Sequence, residues 1–371
     1  MINCIKFLNK YQRNKVRKLK LKFYDRKEKN KCKEINSIDR VLIVCTNEGW
    51  GDSLYVSGLA RRLKLEGAKK ILLSAPKHIC NHFYSNIYDY IFPLEHDEQE
   101  VAALKPNLIV DLTYIGNTYY KERLRLINAC KVPSLTVSEL CSDLFSYTDY
   151  ISYEKESHIS KRLALVLAHL TGKNEDPILP YCEFSQFDHG FISDFLQRNL
   201  KNAKKVAYVN AIARDDDRCL NDEQLVAIII NLLDFGYDGV VYNTKNTIKF
   251  LDNRVVSLPQ VAFSQLVALI HQTSLVITPD TSVTHISSCF DIPTFVIFPG
   301  NDRDFWAEYR ASDVWGALSS KHYNFFVDDK ELKIDYFGYK NKKTTPVSKY
   351  PINQLISSLT MFLINLYEKR Y

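Results

Sequence analysis

From Arg40 onward the chain alternates short β-branched and aliphatic runs with stretches of helical period, and it does so twice. Val41-Leu42-Ile43-Val44-Cys45, Ile71-Leu72-Leu73-Ser74, Leu108-Ile109-Val110-Asp111 and Ser134-Leu135-Thr136-Val137 form the first set, with a helix expected over residues 53–66. Runs this apolar, without in–out alternation, are strands buried on both faces, and strands separated by helices pair in parallel. Residues 172–204 interrupt the pattern with Gly172, Pro177 and Pro180 in a polar stretch, and a short helix is expected near 191–199. The second set is Val206-Ala207-Tyr208-Val209, Val240-Val241-Tyr242, Leu275-Val276-Ile277-Thr278 and Thr294-Phe295-Val296-Ile297-Phe298. Helices are expected between them, over 222–235, 263–272 and from Asp280 to about residue 289.

This pattern predicts an α/β protein of two doubly wound parallel-sheet domains, residues 40–180 and 200–345, facing a cleft. Ligands of such sheets bind beyond the carboxyl ends of the strands. A length of 371 residues agrees with two domains. An amphipathic helix over 352–366 is expected to pack back across the first domain, closing the chain as a segment of residues 350–371.

Cysteine usage bounds the compartment. The nine cysteines are odd in number and none forms a C-x-x-C pair, which argues against a disulfide framework or a zinc ribbon. A reducing, cytoplasmic setting fits best. No stretch approaches the roughly 18–20 apolar residues of a membrane span.

Residues 1–40 hold 14 Lys and Arg against 4 Asp and Glu, so the other 331 residues sum to a net charge of −4 in a chain of +6. The basic character belongs to an N-terminal arm, residues 1–39, of loosely helical apolar spacing and without the h-region of a secretory signal. It reads as a solvated basic helix, as an anchor on an anionic membrane surface, where each Lys or Arg contributes about 1 kcal/mol, or as a nucleic-acid-binding segment. The last lacks any accompanying recognition motif.

Two loops carry chemistry. The first strand runs into Thr46-Asn47-Glu48-Gly49-Trp50-Gly51-Asp52-Ser53. Gly49 and Gly51 let backbone approach a ligand, but Leu54 stands where the dinucleotide fingerprint needs its third glycine. Asp52 is expected at the helix N-cap, where Asp is favoured for structural reasons alone. It is equally a carboxylate placed to take a proton from a hydroxyl nucleophile. Trp50 is a sugar-stacking surface or a loop plug.

In the second half, a strand enters Thr278-Pro279-Asp280-Thr281-Ser282-Val283-Thr284-His285. Hydroxyls and N–H groups at the first turn of a helix suit a phosphate, and His285 lies one turn beyond Thr281 on the same face. Asp280 as a mere cap and His285 as a core histidine are the plainer readings. Arg214 and Arg218, in Ala213-Arg214-Asp215-Asp216-Asp217-Arg218, can grip a diphosphate through forked donors or simply neutralise their own aspartates. Three adjacent carboxylates do not converge on one point, so a metal site is not expected there.

Three segments together resemble the lipopolysaccharide heptosyltransferases of glycosyltransferase family 9. They are Gly51-Asp52-Ser53-Leu54-Tyr55-Val56-Ser57-Gly58-Leu59, residues 214–223, and residues 278–285 followed by Ile292-Pro293-Thr294-Phe295-Val296-Ile297-Phe298-Pro299-Gly300. The resemblance implies the GT-B fold and an inverting, metal-independent transfer to a lipid-linked saccharide, with no cofactor beyond the sugar donor. The donor it implies is an ADP-linked sugar, with ADP-heptose as the family's example. It gives Asp52 the role of general base, with Gly51 beside it, and places the donor diphosphate against Asp280, Thr281, Ser282 and His285. The family's lysine in the 214–218 loop has no identical counterpart; Arg218, one residue later, is the nearest cation. Ser282 stands where the family has Gly, the family's F-G-P reads Phe298-Pro299-Gly300, and Asn301-Asp302 follows where Thr-Asp is common. A basic arm fits a lipid acceptor at the inner face of a bacterial inner membrane. A non-catalytic glycan-binding protein and a nucleotide-sugar epimerase of the same architecture remain as alternatives.

Overall fold

The computed structural model describes residues 15–25, 38–46, 49–83, 86–113, 119–154, 157–173, 176–200, 203–299, 311–326 and 346–368. Asn47, Glu48, Gly300, Asn301, Asp302 and the arm at 1–14 and 26–37 lie outside them. The chain divides into two compact units, residues 1–154 with 160–178, and residues 155–159 with 179–371.

The first unit holds strands β1 (Arg40–Val44), β2 (Lys70–Ala75), β3 (Tyr90–Pro93), β4 (Leu108–Asp111), β5 (Ser134–Thr136) and β6 (Asp149–Tyr150). Its helices are α1 (residues 15–24), α2 (Trp50–Leu65), α3 (Glu98–Ala103), α4 (Tyr120–Cys130) and most of α5 (Ile159–Thr171). The sheet order is β3-β2-β1-β4-β5-β6, with every pair parallel. Val41 to Val44 and Leu108 to Val110 are fully buried or nearly so, as strands covered on both faces must be.

The second unit repeats the plan with β7 (Val206–Asn210), β8 (Gly239–Asn243), β9 (Val255–Ser257), β10 (Leu275–Pro279), β11 (Thr294–Ile297) and β12 (His322–Phe325). Its helices are α6 (Gln186–Asn199), α7 (Asp222–Asp234), α8 (Phe263–His271), α9 (Ser282–Cys289), α10 (Ala311–Trp315) and α11 (Ile352–Glu368). The order β12-β11-β10-β7-β8-β9 is the first sheet's order again, all parallel. In each sheet the winding reverses once, between β1 and β4 and between β7 and β10. Those two reversals are the positions where such sheets bind ligands.

Several expectations change. The last helix joins the core of the second unit. Leu355, Leu359 and Leu363 form one fully buried stripe of α11 in the second unit's core. The Phe362 ring lies 5.7 Å from that of Phe295, tilted against it, and Asn231 on α7 donates to Thr360 at 3.0 Å. The short helix expected at 191–199 in the connecting stretch is longer: α6 starts at Gln186 because Ser185 and Asp188 close a capping box. The arm is helical over residues 15–24, and this part is tethered. Leu21 is fully buried beside Leu124 and Ile127. The Asp25 carboxylate accepts from the N–H groups of Phe145 and Ser146, both at 2.8 Å, and Asn128 donates to the Tyr24 carbonyl at 3.1 Å.

Candidate active site

At the reversal of the first sheet, β1 and β4 end side by side, with Val44 opposite Asp111. Thr46 and Thr113 then join the two departing loops through their hydroxyls, 3.1 Å apart. The β1 loop turns into α2 at Trp50, three residues earlier than the apolar pattern alone predicts. Gly49 is the N-cap, with no side-chain cap, so Asp52 is not the cap but the third helical residue. A carboxylate there sits in the field of the helix N-terminus. It also folds back over Gly49: a Cβ on that glycine would lie 2.7 Å from Asp52 Oδ2. Gly49 therefore gives the carboxylate its room. Gly51 and Asp52 are both half-buried, while Ser53 and Leu54 behind them face the core.

Behind this loop lies a group the sequence reading missed. Asp111, at the end of β4, is fully buried and 3.2 Å from Arg123 Nε of α4, itself fully buried. Tyr147 donates its hydroxyl to Asp111 Oδ2, and Thr113 donates its N–H to Oδ1 at 3.0 Å. Burial works against the Arg123 charge, and Asp111 together with Tyr147 and Cys141 outweighs it, holding the guanidinium above its ordinary value. The only trace in sequence is an arginine among the apolar positions of α4.

At the reversal of the second sheet, β7 leads to the arginine loop and β10 to α9. Asn210 closes the base of the site by donating to the Ile212 carbonyl at 2.8 Å and to Thr278 Oγ1 at 3.2 Å. The helix α9 starts at Ser282, two residues later than expected, because Thr281 is extended and takes the cap: its hydroxyl accepts from Val283 N–H at 3.2 Å. Thr284 N–H reaches the Thr281 carbonyl at 3.1 Å. The Thr281 and Ser282 N–H groups have no acceptor among the described residues, and they are the helix-terminus donors that suit a phosphate.

Arg218 and Asp280 meet across the reversal. Arg218 Nη1 is 2.8 Å from Asp280 Oδ2, and Asp215 lies 3.7 Å from Arg218 Nη2. Burial raises the Asp280 carboxyl above its ordinary value against the pull of Arg218. Asp280 thus orients a cation here. Arg214 is exposed and makes no ion pair among the described residues. Lys245, beyond β8, pairs with Asp216 and brings a further cation to the same edge. It was not among the sequence candidates, because nothing local to residue 245 marks it.

His285 is 5% exposed, with its ring 6.3 Å from Trp315. Burial, and then the charge of His158, push it down to about 3. The imidazole is neutral at pH 7, so it brings an N–H or a lone pair and no positive charge. This depression has a sign. In the unfolded chain the group titrates near 6.5, so stability is complete above that value and is lost as pH falls towards 3. Between pH 5.5 and 4 the wild type is expected to lose about 1.4 kcal/mol per pH unit more than His285→Gln. Urea unfolding at stepped pH reads this difference, and parallel curves for the two proteins would refute it.

Among the described residues no group of three or more His, Cys, Asp or Glu is placed to hold a metal ion. The expected site residues thus fall at two places. Gly51 and Asp52 stand at the first sheet's reversal, and Arg214, Arg218, Asp280, Thr281, Ser282 and His285 surround the second.

The model of glycosyltransferase family 9 (heptosyltransferase) matches residues 141–333, more than half of the chain. No curated protein matches the sequence. Among solved structures, a glycosyltransferase of family 9 from Veillonella parvula is 15% identical with a TM-score of 0.64, over 89% of this chain and 98% of that one. The E. coli ADP-heptose lipopolysaccharide heptosyltransferase II is 15% identical with a TM-score of 0.63, over 88% and 99%. The E. coli heptosyltransferase WaaC with ADP is 13% identical with a TM-score of 0.59, over 87% and 99%. The paired α/β units are those of the GT-B heptosyltransferases. The family match includes every residue of the second site and excludes Asp52.

Proposed function

The chain belongs to glycosyltransferase family 9, and from that membership we propose an inverting enzyme that moves a sugar from an ADP-linked donor, heptose in the first instance, to a lipopolysaccharide core or related surface glycan. The observation that carries the reading is the Arg218–Asp280 pair at the second reversal, beside the unused N–H groups of Thr281 and Ser282. A diphosphate seated there meets a helix N-terminus and the Arg214 and Arg218 guanidiniums. The two E. coli enzymes named above suggest the nucleotide: one is an ADP-heptose heptosyltransferase and one holds ADP.

In this reading Asp52 takes the proton of an acceptor hydroxyl, and the oxygen attacks the anomeric carbon opposite the leaving diphosphate. Charge gathers on the diphosphate as the bond breaks. Arg218, Arg214 and the α9 terminus offset it, and His285 contributes as a neutral hydrogen-bonding group. These positive groups stand in for a metal ion. The test is turnover by the full chain with ADP-, UDP- and GDP-linked sugars and a truncated lipopolysaccharide acceptor, with and without EDTA. Acceptor-dependent ADP release that survives EDTA is expected. Donor conversion without an acceptor would point to an epimerase. No turnover by folded protein would favour a glycan-binding role.

Membrane attachment is part of the same reading. No helix among the described residues is long and apolar enough to cross a membrane. On α1, however, Val16, Leu19 and Phe23 are 52%, 62% and 81% exposed, one stripe at helical spacing, flanked by Lys15, Lys20 and Lys22. Leu21 holds the opposite face to the first unit. An apolar stripe with basic flanks suits the interface of an anionic membrane. Phosphatidylglycerol vesicles are expected to sediment the protein at low salt, and Leu19→Asp with Phe23→Asp to lower the bound fraction at least tenfold. Equal binding to neutral vesicles would overturn the electrostatic part.

A further inference from the structure

On the face of the first sheet covered by α3 and α4, a cavity of about 190 Å³ opens where β2 and β3 end. That is well above the roughly 10–15 Å³ that a single water needs, and is on the scale of one small polar molecule. Ser74, the penultimate residue of β2, lines it and is fully buried. Its hydroxyl has no hydrogen-bond partner among the described residues. That is unusual for its row. Ser74, Val44, Asp111 and Thr136 stand in register along the carboxyl edge. Asp111 is fully engaged, and Thr136 Oγ1 accepts from Ser138 N–H at 3.1 Å. A buried hydroxyl left unmatched is costly, and what would satisfy it is a polar group in the cavity.

The walls describe that group. Glu98 opens α3, Glu122 lies in the first turn of α4, and Arg125 follows one turn later. None of these three side chains has a hydrogen bond or ion pair among the described residues. Glu95 also lines the cavity, and accepts from Lys77 N–H at 3.2 Å. The carboxylates outnumber the guanidinium, so a phosphate is repelled. Hydroxyls suit all parties: they donate to Glu98 and Glu122 and accept from Arg125 and Ser74. Leu94, Val101 and Leu126 give the cavity an apolar surface for the C–H face of a ring.

We propose that this cavity holds one phosphate-free sugar ring of the acceptor, through its vicinal hydroxyls. The assignment to an acceptor rests on the glycosyltransferase reading; the sugar binding itself does not. The site selects against acceptor sugars phosphorylated at the seated ring.

The test is saturation-transfer NMR on the full chain with methyl glucoside and with glucose 6-phosphate, with and without ADP. Methyl glucoside is expected to receive saturation, and glucose 6-phosphate at least tenfold less. Glu98→Gln with Glu122→Gln is expected to weaken methyl glucoside binding at least tenfold at an unchanged melting temperature. Ser74→Ala weakens binding too, with an unchanged or raised melting temperature, which a purely structural serine would not give. Equal binding by the glutamine variant, stronger binding of the phosphate, or no binding of either sugar would overturn the proposal. If donor turnover is present and sugar binding absent, the cavity assignment alone fails. If sugar binds to a protein that turns over no donor, only the transferase reading fails.

Discussion

Asp52→Asn is expected to lower acceptor-dependent release of nucleoside diphosphate by about 10²–10⁴-fold, the range for loss of a positioned general base. The substitution keeps the side chain's size and removes only its basicity. Loss of a carboxylate near a helix N-terminus costs about 0.3–1 kcal/mol of stability, too little to unfold the unit. Donor affinity is expected to stay within about twofold, because the residues proposed to hold the donor, 214–218 and 280–285, all belong to the other unit. The effect should therefore appear in kcat and leave the donor KM alone. Asp52→Glu tests geometry as well as charge. Asp52 Oδ2 lies where a Cβ on Gly49 would clash with it, so a longer carboxylate must leave that place, and an intermediate rate is expected. Asp52→Asn turning over within threefold of wild type would remove Asp52 from the chemistry and leave it as a first-turn charge.

The two-fold repetition of the fold was legible because buried parallel strands announce themselves. Val41 to Val44 and Val206 to Val209 are apolar without a break. The edge strands were not. Asp149–Tyr150 and Val255–Ser257 are two and three residues long, too short for periodicity to register, and β12 reads His-Tyr-Asn-Phe with mixed exposure. Helix starts were displaced for a local reason. The eye places a cap on the aspartate, whereas Gly49 and Thr281 take the caps and Asp52 and Asp280 are set to either side. The donor-like residues were legible as two separate loops. Their meeting was not, since Arg218 and Asp280 are brought together only by the sheet order that sets β7 beside β10. The charge state of His285 was also hidden, because it depends on burial among residues distant in sequence. For the same reason the α11 stripe gave its amphipathicity and not its partner.

Arg123→Met is expected to destabilise the first unit by about 3–5 kcal/mol, because it leaves the Asp111 carboxylate buried without its counter-charge. In a unit of this size that is a fall of roughly 6–20 °C in melting temperature. The size follows from burial: both side chains are 0% exposed, so no solvent moves in to replace the guanidinium. Tyr147 and the Thr113 N–H would still contact the carboxylate, but two neutral donors do not balance a charge in a water-free core. Arg123→Met with Asp111→Leu removes both charges and is expected to recover most of the loss, since well-packed apolar residues replace buried ion pairs at little or no cost. Activity should not recover with it. Asp111 Oδ1 is what receives Thr113 N–H, and Thr113 in turn meets Thr46 at the root of the loop that carries Asp52. A double variant that is stable but slow would show that the pair positions the β1 and β4 loops at the reversal. A single variant within about 1 kcal/mol of wild type would show that water or rearrangement relieves Asp111, and the ion pair would then carry neither role.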